Sequence, residues 1–365
     1  MKFIHCADLH LDSKLSANLD KEKAKERKAE VLHSFVRLVQ FAVENHVRGI
    51  LIAGDMFDTK NISATVKNTV LSQIMRHPDI NFYYLKGNHD SDNFLTEQDH
   101  LENLKMFDDK WTTYTEADGR IVISGMELHS ENSGSAAHTY TPDVSKFNIV
   151  MLHGQQADGD SKHRAENINL KGFRNKGIDY LALGHVHAYQ KEALDARGFY
   201  CYPGCLEGRG FDECGEHGFV LLDINEETGE FTHTFVPFAF RKLYTLEADV
   251  TGLGSTAEMS ARMQEILDEK QYDRNSLLKV VLTGSVDVEC EKDITYLATM
   301  LADRFYFAKV YDETSLSVRQ EDYMLDKTLK GEFVRMVMAQ NDLSENEKGA
   351  IIRYGLQALA GEEVC

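Results

Sequence analysis

Five short apolar runs in this chain each lead straight into aspartate, histidine or asparagine, and nothing else in the sequence restricts the fold so tightly. Phe3–Ala7 is followed by Asp8-Leu9-His10, Ile50–Ala53 by Gly54-Asp55, and Phe82–Leu85, after one lysine, by Gly87-Asn88-His89-Asp90. Ile149–Leu152 leads into His153-Gly154, and Tyr180–Leu183 into Gly184-His185-Val186-His187. Each run is brief, almost continuously apolar and rich in Ile, Val, Leu or aromatic residues, as buried strands are. Ile121–Ser124 reads the same way. Between the early runs, Glu22–Asn45 and Ser63–Arg76 have apolar residues at helical spacing, among them Leu32, Phe35, Val36, Val39 and Val43. Such alternation predicts an α/β layered core. In open sheets of that kind ligands bind beyond the carboxyl ends of the strands, so the five strand ends point at one place.

The spacings suit a shared pocket. In extended backbone, residues two apart face the same way, which pairs Asp8 with His10 and His185 with His187. Gly54, Gly87 and Gly184 each stand directly before a candidate ligand, where a missing Cβ permits a sharp turn and close approach to an ion. Carboxylate, imidazole and one amide oxygen suit a borderline divalent ion, Mn²⁺ first, with Fe, Zn or Mg²⁺ also compatible. A lone buried histidine is more often structural than a ligand, but the joint pattern at five strand ends is not explained that way. Cys201 and Cys205, with Cys214, have the spacing to begin a zinc site. Structural zinc motifs usually supply two close ligand pairs, so these read as reduced thiols.

In order along the chain, DLH, GDMFD, GNHD, HG and GHVH resemble the motifs of the calcineurin-like metallophosphoesterases. The resemblance implies two central sheets flanked by helices around two divalent ions. It implies one ion held by Asp8, His10, Asp55 and His187, and a second held by Asp55, Asn88, His153 and His185, with Asp55 bridging. His89 would stand outside the ligand set, contacting the phosphate or protonating the leaving oxygen, with Asp90 orienting it. Two ions about 3.5–4 Å apart suit in-line displacement at phosphorus because they stabilise both the attacking and the leaving oxygen. Within the superfamily, FIHCADLHLDSKL, YPGC and GRGFDECGEHGFVLLDI resemble the nuclease subunit of SbcC–SbcD DNA repair complexes, an SbcD-type Mn²⁺-dependent exonuclease and endonuclease. Two positions depart from that pattern: Asp58, where archaeal and eukaryotic relatives have histidine, and Cys205, where serine is usual.

Later segments predict further elements. Gly218–Ile224 and Phe231–Pro237 read as an antiparallel hairpin. From Leu243 the order is strand, helix, strand, helix, strand over about 70 residues, enough for a small α+β domain. Asp322–Gln340 and Ser344–Ala360 read as two C-terminal helices, the second opened by a Ser344–Glu347 capping box. The expected division is 1–240, 241–320 and 321–365. By resemblance these are a nuclease domain, a capping domain that helps shape DNA, and a docking segment for the coiled coil of an ABC-type ATPase (SbcC-like) partner. Pattern alone would pack the stripe of Leu325, Leu329, Phe333, Met336 and Val337 on its own domain; the resemblance turns it toward that partner. It also implies a homodimer and 3′-to-5′ exonuclease action.

The formal net charge is −19, whereas a protein that grips DNA alone carries basic residues for phosphate contacts. Either a partner supplies much of the grip, or the enzyme is a metallophosphodiesterase or phosphatase acting on a small molecule or phosphoprotein. A metal-stabilised scaffold would leave the His89–Asp90 pair without a purpose. Lys162-His163-Arg164 and Lys171–Lys176 are local basic clusters that suit either strand guidance or solvated surface. No run approaches the apolar length of a membrane span, and the start lacks the features of a signal peptide. The expectation is a cytoplasmic protein with no membrane association.

Overall fold

The computed structural model describes every residue except 16–18, 59–60, 91–93, 95–100, 158–166, 289, 318–322 and 361–365. Its layers can be read from strand β1 (Lys2–Cys6). Successive side chains of a strand point to opposite faces. Ile4 and Cys6 accordingly join a core shared with helices, while Phe3 and the following Ala7 join a core shared with a second sheet. Parallel pairing adds β2 (Val47–Ala53), β3 (Asn81–Leu85) and β4 (Leu104–Met106).

The second sheet is built from β5 (Thr112–Glu116), β6 (Ile121–Gly125) and β7 (Phe147–His153). A short ladder of β8 (Gln155–Gln156) with β9 (Asn167–Ile168) follows. Then β10 (Tyr180–Gly184), β11 (Gln190–Ala193) and β12 (Phe199–Tyr202) complete the order β11-β12-β10-β7-β6-β5. The chain returns as the expected antiparallel hairpin, β13 (Gly218–Ile224) and β14 (Phe231–Pro237), giving the first sheet the order β14-β13-β1-β2-β3-β4. The result is the expected α/β fold of two mixed sheets flanked by helices.

Helix α1 (Lys21–Glu44) starts where Asp20 accepts the backbone N–H groups of Glu22 and Lys23, and α2 (Ala64–Arg76) follows β2. α1 buries Val31, Phe35, Leu38, Val39 and Ala42. The face is rotated from the one expected: Val43 is 39% exposed, because Leu38 and Ala42 take the positions against the sheet. One buried polar link crosses this layer. Arg27 and Glu207, 1% and 2% exposed, pair at 2.6 Å; Glu207 also accepts Ser34 Oγ–H and the Phe240 N–H, both at 2.5 Å.

The chain divides into two compact units, Met1–Phe240 and Arg241–Cys365. The second has the strand–helix order read from the sequence. Its strands β15 (Leu243–Asp249), β16 (Leu277–Thr283) and β18 (Phe307–Asp312) pair in parallel, with helices Thr256–Lys270 and Ile294–Ala302 between them. A shorter pair joins β17 (Ser285–Asp287) to β19 (Ser315–Ser317). The helix expected over Asp322–Gln340 is interrupted: Tyr323 and Met324 are helical, Leu325 to Thr328 are not, and a helix then runs Leu329–Met338. Before it, Asp326 accepts the Thr328 N–H and hydroxyl at 2.8 and 2.9 Å, a local turn that competes with helix. The Ser344–Glu347 capping box forms reciprocally and opens helix Glu345–Ala360. Val334 and Val337 pack on Ile352 and Leu356, whereas Leu325, Leu329 and Met336 are 88%, 68% and 59% exposed. No helix among the described residues is long and apolar enough to cross a membrane.

Removing one partner of a buried ion pair leaves the other charge uncompensated. Glu207→Ala should therefore lower unfolding free energy by about 3–5 kcal/mol in urea titrations. The double variant Arg27→Met, Glu207→Leu should recover most of that loss.

Candidate metal centre

β1, β2, β3, β7 and β10 end on the same side of the two sheets. Their following loops are tied together by backbone hydrogen bonds: Asp8 N–H to Gly54 O, His10 N–H to Asp55 O and Leu11 N–H to Met56 O, at 2.9–3.0 Å. His185 N–H donates to the Asp8 carboxylate at 3.0 and 3.1 Å, linking the second sheet to the first. The loops are turned by left-handed backbone at Asp8, His10, Asp55 and His185, with φ of 52, 44, 49 and 96°. Such conformations are uncommon outside glycine and concentrate at functional sites. Glycines make room, Gly87 among them, where a Cβ would strike the Asp55 carboxylate. A Cβ at Gly54, where φ is +90°, would strike the His153 ring, and one at Gly184 would strike the Ala53 carbonyl. Protein atoms occupy the space these glycines leave, the His153 ring at Gly54 and the Ala53 carbonyl at Gly184.

Two groups of side chains converge. In the first, His10 Nε2 lies 3.1 Å from His187 Nε2 and 4.0 Å from Asp8 Oδ1, and His187 Nε2 lies 3.7 Å from Asp8 Oδ1. In the second, His153 Nε2 lies 3.1 Å from Asn88 Oδ1 and 3.4 Å from Asp55 Oδ2, and the His185 ring packs edge-on to His153 with centroids 5.3 Å apart. Asp55 Oδ2 also lies 4.0 Å from His10 Nε2, so this oxygen belongs to both groups. Asp8, His10 and Asp55 are each 1% exposed and His153 4%.

Hydrogen-bond accounting tells what the groups require. The other nitrogen of three of the four imidazoles faces an acceptor: His10 Nδ1 faces Asp58 at 3.1 Å, His187 Nδ1 faces Glu213 at 2.6 Å with Arg209 Nη2 at 3.3 Å, and His153 Nδ1 faces the Ala53 carbonyl at 2.9 Å. A ring proton on each Nδ1 satisfies these contacts and leaves each Nε2 a bare lone pair. In that form the Nε2 lone pairs, the Asp8 and Asp55 carboxylates and the Asn88 amide oxygen face one another, an acceptor-rich arrangement that a cation, or a proton on His153, relieves. Two other acid–imidazole clusters, His10–Asp58–His89 and His187–Cys205–Glu213, lack that property because a donor stands opposite each acceptor. They support the ligands from behind.

Titration follows the same logic. Burial alone would lower the His153 imidazole, but its hydrogen bond to Asp55 and the charges of Asp8 and Asp55 outweigh it and raise the pKa to about 9. Burial lifts the Asp8 carboxyl to about 6 against the pull of His153 and His187. Burial opposes ionisation of Asp55 too, yet the His153 hydrogen bond and charge hold its carboxyl well below the usual range.

Asp90 was expected to orient His89, and it does not. Its carboxylate accepts the backbone N–H groups of Phe57, Gly87 and Met56 at 2.8, 2.9 and 3.3 Å, bracing two ligand loops. The carboxylate beside His89 is Asp58, 3.3 Å from Nδ1. Sequence reasoning missed Glu213 and Arg209, which sit in a stretch with no strand-end pattern to flag them; Arg209 donates to Glu213 at 3.2 Å and lies 3.4 Å from Asp58. Among the described residues no ligand cluster includes two of Cys201, Cys205 and Cys214. Cys205 Sγ instead lies 3.2 Å from His217 Nδ1. Lys162, His163 and Arg164 lie outside the described residues, and Lys171 and Arg174 are exposed.

At their strand ends the two sheets gather His and Asp groups that could hold metal ions. The sequence profile of the calcineurin-like phosphoesterases matches residues 1–189, and the chain belongs to that family. It is thus a metal-dependent phosphoesterase, with His and Asp groups suited to the family's dinuclear site. The chain is 28% identical over 247 residues to the uncharacterized metallophosphoesterase YhaO of Bacillus subtilis (strain 168), a match covering 64% of this chain and 60% of that protein, less than two thirds of its length. It is 23% identical over 340 residues to the DNA double-strand break repair protein Mre11 of Sulfolobus acidocaldarius, covering 88% and 85%. With the protein of that name from Saccharolobus solfataricus it shares 22% identity over 380 residues, covering 97% and 94%.

With its pKa raised to about 9, His153 would have to give up a proton to take a divalent ion at lower pH. Apparent affinity should therefore rise with pH, by about tenfold per unit for one displaced proton, and level off above that value. Calorimetry in buffers of different ionisation enthalpy measures the released proton. Affinity independent of pH, with no proton release, would contradict the accounting above. Asp55→Ala, which removes the shared oxygen, should abolish binding of both ions.

Proposed function

We propose that this chain is a Mn²⁺-dependent DNA nuclease, an exonuclease and endonuclease on double-strand DNA, serving as the nuclease subunit of a DNA repair complex. The observation that carries this reading is the extent of the Mre11 matches. They run along 88% and 97% of the chain, well past the residues matched by the phosphoesterase profile. In this reading residues 1–240 are the nuclease domain, 241–320 the capping domain and 321–365 the docking segment. Leu325, Leu329 and Met336, exposed on and before the first C-terminal helix, supply an apolar surface suited to the coiled coil of an ABC-type ATPase. Such a partner reconciles DNA binding with the net charge of −19.

Asp8, His10, Asp55 and His187 would hold one ion, and Asp55, Asn88, His153 and His185 the other. The ions would supply Lewis-acid stabilisation of charge at the phosphoryl oxygens. His89 is 47% exposed and stands edge-on to His10, with ring centroids 5.1 Å apart. Asp58 faces its Nδ1, so Nε2 is the nitrogen available to give a proton to the leaving oxygen. The His89 backbone N–H meanwhile holds Asp55 Oδ1 at 2.9 Å, leaving Oδ2 for the shared position. Lys171 and Arg174, exposed on helix Leu170–Phe173 and just after it, would contact the DNA backbone.

The acidic charge favours a second reading, a phosphodiesterase or phosphatase for a small molecule or phosphoprotein. Purified protein with Mn²⁺, given linear duplex DNA and a small chromogenic phosphodiester, separates the two. Cleavage of DNA is expected; turnover of the small ester alone would overturn the nuclease reading. His89→Ala should keep both ions and DNA affinity while losing about 10²–10⁴-fold in turnover. Loss of metal in that variant would instead make His89 a ligand.

A further inference from the structure

Two carboxylates stand behind the first group of ligands, and one side chain joins them. Asp58 faces His10 Nδ1 and Glu213 faces His187 Nδ1. Arg209 reaches both, with Nη1 3.4 Å from Asp58 Oδ1 and Nη2 3.2 Å from Glu213 Oε1, and its backbone N–H donates to Glu213 Oε2 at 2.7 Å. The loop that carries it is anchored from beneath, since Arg27 Nη2 pairs with Glu207 and donates to the Gly208 carbonyl at 3.1 Å. Both imidazoles supported in this way belong to the Asp8–His10–His187 group. The hydrogen bonds and ion pairs of Arg209 among the described residues do not reach Asn88, His153 or His185.

We propose that Arg209 is a positioning residue that sets the affinity of the ion position formed by Asp8, His10, His187 and Asp55 and leaves the other position alone; this rests on the dinuclear reading above. Carboxylates behind metal-bound histidines fix ring orientation and raise ligand basicity. Without the guanidinium, Asp58 and Glu213 are like charges with no shared counterion, and their hold on the two rings loosens. A lysine offers a point charge rather than a planar fork and cannot span both carboxylates equally well.

The test titrates the full-length protein with Mn²⁺ alone by calorimetry, alongside electron paramagnetic resonance, which distinguishes a coupled Mn²⁺ pair from a single ion. Wild type should bind two ions. Arg209→Ala should keep one at unchanged affinity and weaken the other about 10–100-fold, the range for loss of such support, so the coupled signal disappears at Mn²⁺ concentrations where wild type shows it. Arg209→Lys should fall between. Glu213→Gln breaks the same link from the other side and must reproduce the selective loss, which keeps the test decisive if Arg209→Ala fails to fold. Unchanged binding, or equal weakening of both ions, overturns the proposal. A wild type that never binds a pair would remove the dinuclear reading itself, a failure distinct from that of Arg209.

Discussion

One oxygen atom organises the centre. Asp55 Oδ2 lies 4.0 Å from His10 Nε2 and 3.4 Å from His153 Nε2, while its companion Oδ1 is held by the His89 N–H. While both imidazoles are neutral and donate from Nδ1 to Asp58 or Ala53, neither Nε2 carries a proton. A buried carboxylate flanked by two lone pairs is costly unless positive charge lies between them. The raised pKa of His153, about 9 despite burial, expresses the same demand in protons. Metal binding and proton binding are therefore competing answers to one electrostatic problem.

Much of the remaining structure keeps those acceptors from moving apart. Left-handed backbone at Asp8, His10, Asp55 and His185 costs on the order of 1–3 kcal/mol at each position. It persists because neighbouring contacts leave no alternative. The loops after β1 and β2 share a backbone ladder, Asp90 braces the loops of Asp55 and Asn88, and His185 N–H clamps Asp8. Behind them, Arg209, Asp58 and Glu213 orient two of the rings, and the buried Arg27–Glu207 pair fixes the segment from which Arg209 and Glu213 come. Support thus runs from the helix layer to the ligand set through named contacts.

The convergence of these side chains was legible because strand ends impose a simple rule. Apolar runs such as Tyr180–Leu183 must be buried, so the polar residues that follow must emerge together. The layered core, the hairpin at Gly218–Pro237 and the Ser344 capping box followed from similarly local patterns. Contacts between segments far apart in sequence were not legible. The family resemblance assigned Asp90 to orient His89, but its carboxylate turns to the backbone of Phe57 and Gly87, while Asp58 arrives from another loop. Glu213 and Arg209 follow no periodicity, and only the folded chain places them against His187. The buried face of α1 was displaced for a related reason: spacing identifies a stripe, but the sheet beneath decides which edge of it is covered.

The central claim is that Asp55 stands between two cation positions, one completed by Asp8, His10 and His187 and the other by Asn88, His153 and His185. Anomalous diffraction from crystals of the full-length protein grown with Mn²⁺ addresses it directly. The account predicts two anomalous peaks flanking Asp55 Oδ2, each within coordination distance of its own ligand set. A single peak, or two peaks of which either lies away from Asp55, would contradict it.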